Sequence, residues 1–367
     1  MKIRGIKAGL ALLSLLYLAP SALAKENRWT HFGTRPLAMG NAYVSIADDF
    51  NALFYNPAGL ARIKEWDFEV LNPTLSVGAD TIDTISEIMD LGSSTADVLD
   101  FFEDKTGKNQ HFSLSLTPHF IMQNFGFGIG INAGTDIAFH SDIDVEATVG
   151  ANLIVPITYA MNFLGDRLSV GGSIKLRGFA GLDGNLNIET LSELGGSKQD
   201  TATEESDNEN VRGGSGAGVD IGILFTPIQT MKPTLGLSIT DLGGTTFKAT
   251  SDEVAAPEDV LPSVNAGFSL RPIDTKFSYL SLALETHSIN QPIHYSHKLR
   301  FGAEWGISSI LKLQAGLADG YLTGGLEFDV ALLNLRFASY AVDHGPIVGL
   351  NEGLVDRRYA LQIKLII

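Results

Sequence analysis

The sequence predicts an all-β protein in which about fourteen antiparallel strands close into a transmembrane barrel. Three observations carry the prediction. Most of the chain repeats one pattern, an alternation of apolar with polar or small residues ended by a turn. The links between these runs are short and long by parity. No stretch holds the roughly 18 uninterrupted apolar residues that a spanning helix needs.

Residues 1–24 read as an export signal. Lys2, Arg4 and Lys7 make a positive start, Ala8 to Ala19 an apolar core, and Ala22-Leu23-Ala24 a small-residue cleavage site. The core is too short to anchor a helix in a membrane, where about 20 apolar residues are required. A leader of this kind directs the chain out of the cytoplasm, and alternating strands then point to the bacterial outer membrane.

The strands follow in order near 66–77, 110–121, 125–138, 146–161, 167–179, 214–226, 233–241, 262–271, 277–287, 296–306, 310–318, 321–328, 332–342 and 356–367. The alternation is clearest in the second half. Leu299, Phe301, Ala303 and Trp305 share one face, and Lys298, Arg300, Gly302 and Glu304 the other. In the last run Tyr359, Leu361, Ile363, Leu365 and Ile367 oppose Arg358, Ala360, Gln362 and Lys364. Every long link, at 78–109, 180–213, 242–261 and 343–355, falls on one rim; the other rim carries turns such as Gln123-Asn124 and Ser308-Ser309. A soluble antiparallel sandwich also alternates, but its loops have no reason to keep parity, and long cations in mid-strand suit a polar lumen better.

Composition excludes several functions. With no cysteine there is no disulfide framework, thiolate metal site, Cys nucleophile or lipidated Cys anchor. A net charge of −16, from 26 basic against 42 acidic residues, argues against nucleic acid as a partner. The histidines lack metal-ligand spacing, His111 and His119 reading as polar strand residues, so no metal is predicted. Gly213 to Gly218 lacks the Lys-Ser/Thr of a phosphate loop, and no G-x-S-x-G elbow is present. Without a nucleophile and base, no enzyme and no cofactor are predicted.

Residues 25–65 do not read as strand. The stretch Ala38-Met39-Gly40 through Asp48, Asp49 and on to Asn56-Pro57-Ala58-Gly59-Leu60-Ala61 resembles the N-terminal signature of the FadL/TodX family of outer-membrane transporters of hydrophobic compounds. The letters match over about residues 33–61, the architecture over the mature chain. The resemblance implies a hatch, residues 25–65, folded into the lumen of a barrel over 66–367, with Asn56, Pro57 and Ala58 inside it. It implies uptake of fatty-acid-like or other hydrophobic small molecules, with outer-membrane lipid around the wall. Related barrels with a similar Asn-Pro-Ala-Gly opening serve secretion machineries, so a structural or secretion-partner barrel is the alternative. Pro57 fixes its own φ and biases Asn56 to an extended conformation, while Gly59 permits a tight turn.

The inward strand faces are expected to carry Lys175, Arg177, Lys298, Arg300, Lys312, Arg336, Arg358 and Lys364, with Glu285 and Glu304. These cations can pair with one another and with the hatch, Asp48 and Asp49 being the obvious partners, or hold a carboxylate head-group through an arginine fork. The third strand is rich in glycine, at Gly126, Gly128, Gly130 and Gly134, which marks either a kinked wall able to open sideways or close approach of the hatch. Two loops are acidic: 80–105, whose apolar residues recur at helical spacing about Gly92, and the polar 181–212.

Overall fold

The computed structural model describes residues 33–90, 107–141, 144–186, 211–252, 254–330, 333–343 and 355–365. The export signal, the first residues of the expected hatch, Gly92 and most of the 181–212 loop lie outside them. The first three wall strands are each built from two pieces. These are β1 (Asp67–Glu69) with β2 (Thr74–Gly78), β3 (Asn109–Leu116) with β4 (His119–Met122), and β5 (Phe125–Gly128) with β6 (Gly130–Ser141). Next come β7 (Asp144–Phe163), β8 (Leu168–Leu186), β9 (Val211–Phe225) and β10 (Thr234–Thr240), with a short β11 (Phe247–Ala249) that pairs back on β9. The remaining wall is β12 (Ser263–Asp274), β13 (Ser278–Thr286), β14 (Leu299–Ile307), β15 (Leu311–Ala318), β16 (Tyr321–Val330), β17 (Leu333–Asp343) and β18 (Val355–Leu365).

Each wall strand pairs antiparallel with the next, and β18 returns to β2 with Gln362 opposite Thr74. The result is a closed fourteen-strand antiparallel barrel, as the alternation predicts. Closure removes the unpaired edges that an open sheet would present to lipid. Leu299, Phe301 and Trp305 of β14 are exposed on the outer face, while Arg300, Gly302 and Glu304 are buried on the inner one. The same inversion of a soluble protein, apolar outside and charged inside, holds round the wall.

Two prolines interrupt the third wall strand. Between β6 and β7 the ladder runs to Gly130 opposite Ile154 and resumes at Phe127 opposite Ile157, skipping Pro156, which has no N–H to donate. On the other flank Pro118 separates β3 from β4, and a single bond from Ile129 N to Pro118 O, 2.9 Å, spans the gap. The first wall strand breaks at 70–73, where the register with the second slips by one residue.

Inside the wall lies the N-terminal segment. It contains α1 (Thr34–Ala38), α2 (Ala52–Tyr55) and a 3-10 turn at Pro57–Arg62. Its apolar side chains, among them Met39, Tyr43, Phe50, Leu53 and Leu60, pack into one cluster that also takes in Ile121, Ala160 and Ala283 of the wall. The segment thus carries its own small core into a polar lumen. Of the helix pair expected about Gly92, the first helix is observed as α3 (Ala79–Asp90), and the second falls outside the described residues. Helix α3 docks on the rim through Asp80 and Thr81, which accept the Asn109 and His111 backbone N–H groups at 3.0 and 2.7 Å.

Candidate functional site in the lumen

The wall makes room for the segment with glycine. An added Cβ at Gly222 would stand 1.9 Å from Asn56 Oδ1, and at Gly171 2.5 Å from the Pro57 carbonyl carbon. A Cβ at Gly236, Gly302 or Gly316 would stand 2.8 Å from Ser45 Cα, 2.6 Å from Met39 O and 2.4 Å from Gly40 N respectively. Gly40 itself has φ +61 and is pressed against the Leu317 and Phe301 carbonyls, a position that suits glycine on both counts. In the sequence these wall glycines, Gly302 among them, are legible only as small residues at inward positions of alternating strands.

Asn56 organises the Asn-Pro-Ala turn. Its Oδ1 accepts the Ala58 N–H at 3.1 Å, capping the 3-10 turn that Pro57 opens. Its amide donates to Val44 O at 2.8 Å and, more weakly, to Ile223 O and Leu237 O of the wall at 3.4 and 3.5 Å. Gly59 is required by packing, since a Cβ would meet the Ala47 carbonyl at 2.0 Å. All four residues of the motif are buried.

The charges meet in a different sense from the expected one. The fully buried wall acids Glu304 and Glu285 receive the segment, rather than wall cations alone. Arg35 makes a two-pronged bond to Glu304, 2.7 Å on each oxygen, and also reaches Asp48 at 2.8 Å, Asp49 at 3.0 Å and Tyr43 Oη at 2.5 Å. Glu285 accepts the Val44 N–H at 2.7 Å. From the wall, Arg271 reaches Asp48 at 3.2 Å. Burial drives the Asp49 carboxyl up, but the Arg35 and Arg336 guanidiniums outweigh it and hold the group below the ordinary carboxylate range. Burial likewise opposes the charge on Arg35, and Asp48 and Glu304 overcome it.

The lumenal cations have partners of their own. Lys175 pairs with Asp220 at 2.9 Å and Asp241 at 3.1 Å, and Arg177 with Asp241 at 2.8 Å. Arg336 and Lys312 share Glu327, and Arg336 also donates to Gln362. Arg358 is clamped between Asp136 and Asp356. Arg300 is buried opposite Glu285 in the β13–β14 register. Lys298 lies just outside β14 and donates to the Ile289 and Gln291 carbonyls, away from mid-strand. Beside Arg358, Asp136, His111 and Tyr340 line a polar cavity of about 40 Å³. It has room for about three water molecules and is far smaller than a cavity of roughly 150 Å³ of the kind that binds benzene.

The glycines of the third strand separate into two groups. Gly126 and Gly128 face inward against Leu53 and Leu60, a Cβ there standing 2.7–2.9 Å from those methyl groups. Gly134 packs against the backbone of Phe112 and Ser113 in the neighbouring strand. Gly130 opens β6 directly after the interruption at Ile129.

No protein-family model and no curated protein sequence matches the chain. Solved structures do. The chain is similar to a CymD monoaromatic hydrocarbon channel, with TM-score 0.55, 13% identity, and 92% of this chain covering 98% of that one. It is similar to a TodX monoaromatic hydrocarbon channel lacking S2 and S3, with TM-score 0.52, 12% identity, and 90% covering 97%. It is similar to the Ralstonia pickettii toluene transporter TbuX, with TM-score 0.50, 14% identity, and 93% covering 100%. At these identities the likeness is one of fold, and in fold the chain resembles the FadL/TodX barrels.

Proposed function

We propose that the chain is a bacterial outer-membrane channel for uptake of hydrophobic compounds, in which residues 25–65 are a hatch. The observation that carries the reading is the meeting of Leu53 and Leu60 with Gly126 and Gly128, at the place where Pro118 and Pro156 interrupt the wall. There an apolar surface of the segment abuts an interruption in the ladder. The hydrocarbon channels that share the fold support the same cargo class.

An apolar molecule lands at the long-loop rim near α3, passes between hatch and wall, and leaves sideways into the membrane beside Ile129. The cavity beside Arg358 is too small to be its route, and in this reading the hatch shifts to let the cargo pass. Lys175, Arg177, Lys312, Arg336 and Arg358 already pair with carboxylates, so a fatty acid bound by any of these would have to displace a pair. An uncharged hydrocarbon needs no such exchange, and long-chain fatty acids are the harder cargo.

The test is uptake by cells and by proteoliposomes. Gly130→Trp fills the interruption and Gly128→Trp, which faces Leu53, fills the seam between segment and wall; each should cut uptake of labelled toluene or a labelled fatty acid without lowering barrel yield. Normal uptake of both compounds by folded Trp variants would remove the lateral route. No leak of small polar solutes after deletion of 33–58 would remove the hatch. Both results together would favour a structural or secretion-partner barrel.

A further inference from the structure

The first wall strand carries Asp67 and Glu69 on its inward face, and the β1–β4 register sets Glu69 opposite His119. Their ligand atoms converge. His119 Nε2 lies 3.2 Å from Asp67 Oδ2 and 3.5 Å from Glu69 Oε2, and one nitrogen and two carboxylate oxygens fall within 4.8 Å of one another. Two ligands held about 2.0–2.1 Å from a tetrahedral ion stand about 3.3–3.4 Å apart, so the spacing is that of a coordination shell.

The tautomer adds an independent reason. His119 Nδ1 is 2.9 Å from the Thr117 carbonyl oxygen, which can only accept, so Nδ1 carries a hydrogen. The ring is fixed further by Phe50 of the N-terminal segment, stacked on it at 4.5 Å and 8°. In the neutral ring Nε2 then points its lone pair at two carboxylates, an arrangement that calls for a positive centre between the three. Glu69 is buried to 3% exposure, and neither of its oxygens receives a well-formed hydrogen bond. Its nearest cation, Lys364 Nζ at 2.9 Å, is a flexible ammonium that also reaches Asp67 at 3.5 Å.

We propose that Asp67, Glu69 and His119 form a site for one divalent transition-metal ion of the Zn²⁺ class, which displaces the tethered ammonium of Lys364. One imidazole and two carboxylates suit such an ion, and the Thr117 carbonyl supplies the outer-shell partner that orients the ring. The ladder of β18 onto the first strand ends at Gln362 opposite Thr74, and β1 pairs with β4. An ion there ties β1 to β4 beneath Phe50 where side chains from β18 reach across.

The experiment uses the full mature chain in detergent micelles, stripped with chelator and checked for folding by heat-dependent gel mobility. Titration with ZnCl₂ should give one site per chain, and Co²⁺ should give a visible spectrum of nitrogen and oxygen ligation. His119→Ala and Glu69→Gln should each weaken binding by more than the roughly 10–100-fold that loss of an outer-shell partner costs. Lys364→Met should tighten it. If His119→Ala fails to fold, X-ray absorption of the Zn²⁺-loaded wild type replaces it and must show a single imidazole. Failure of folded wild type and Lys364→Met alike to bind Zn²⁺ overturns the site. So does binding that His119→Ala leaves intact, or a histidine ¹⁵N spectrum with Nε2 protonated at neutral pH and unmoved by Zn²⁺, which would make a proton the occupant.

Discussion

Arg35 and Glu304 stand 269 residues apart in the chain and meet through two N–H···O bonds of 2.7 Å inside the barrel. Both are buried, so the pair is screened little by solvent, and removal of one partner leaves the other as an uncompensated charge. Breaking a buried pair of this kind costs about 3–5 kcal/mol. Arg35→Ala should therefore unseat the N-terminal segment while the wall, closed by its own ladder, still forms. The expected result is a heat-modifiable barrel of normal yield that swells proteoliposomes in small sugars. Glu304→Gln keeps one acceptor and should leak less.

Gly222 and Gly172 offer a comparison within the wall. A Cβ at Gly222 collides with Asn56, whereas at Gly172 the nearest atom is Asp220 O at 3.6 Å. Gly222→Val should expel the Asn-Pro-Ala turn, with an overpacking cost of about 1–3 kcal/mol or more. Gly172→Ala should be silent. Protease sensitivity of the segment in folded, detergent-solubilised protein reads the difference; equal sensitivity would contradict the close seating.

Asp49 gives the pH dependence a sign. Its folded carboxyl titrates below its ordinary value, so its contribution is complete above the unfolded value, about 3.9, and is lost as pH falls through the lower folded one. Asp49→Asn should therefore destabilise segment seating at neutral pH, and the gap to wild type should close only in strong acid. Denaturant titration of the segment at several pH values checks this. A gap that closes between pH 5 and 7 would contradict it.

Topology can be read on intact cells. Protease added from outside should nick the chain near Glu204, in the long link between β8 and β9. Cleavage only after the outer membrane is breached would place the long loops in the periplasm.

Period-two alternation and loop parity determined the barrel from sequence alone, because a strand half in lipid and half in a polar lumen writes its two faces into every second residue. Leu299, Phe301 and Trp305 against Arg300, Gly302 and Glu304 are legible without coordinates. The Asp48 to Ala61 letters pointed to the inserted segment through resemblance. Tertiary structure decided what meets across the lumen. Arg35 lies on no strand, and nothing local in the sequence marks Glu304 as its partner. Asp67 and Glu69 lie about fifty residues from His119, the Asp67–His119 separation being 52, which no ligand-spacing rule recognises. Wall glycines such as Gly222 look like any other small inward residue until the Asn56 side chain stands beside them. Alternation is a local property of one strand facing two solvents, and it survives in the letters. A contact between distant strands depends on how the sheet closes, and only the closed barrel brings those side chains within reach of one another.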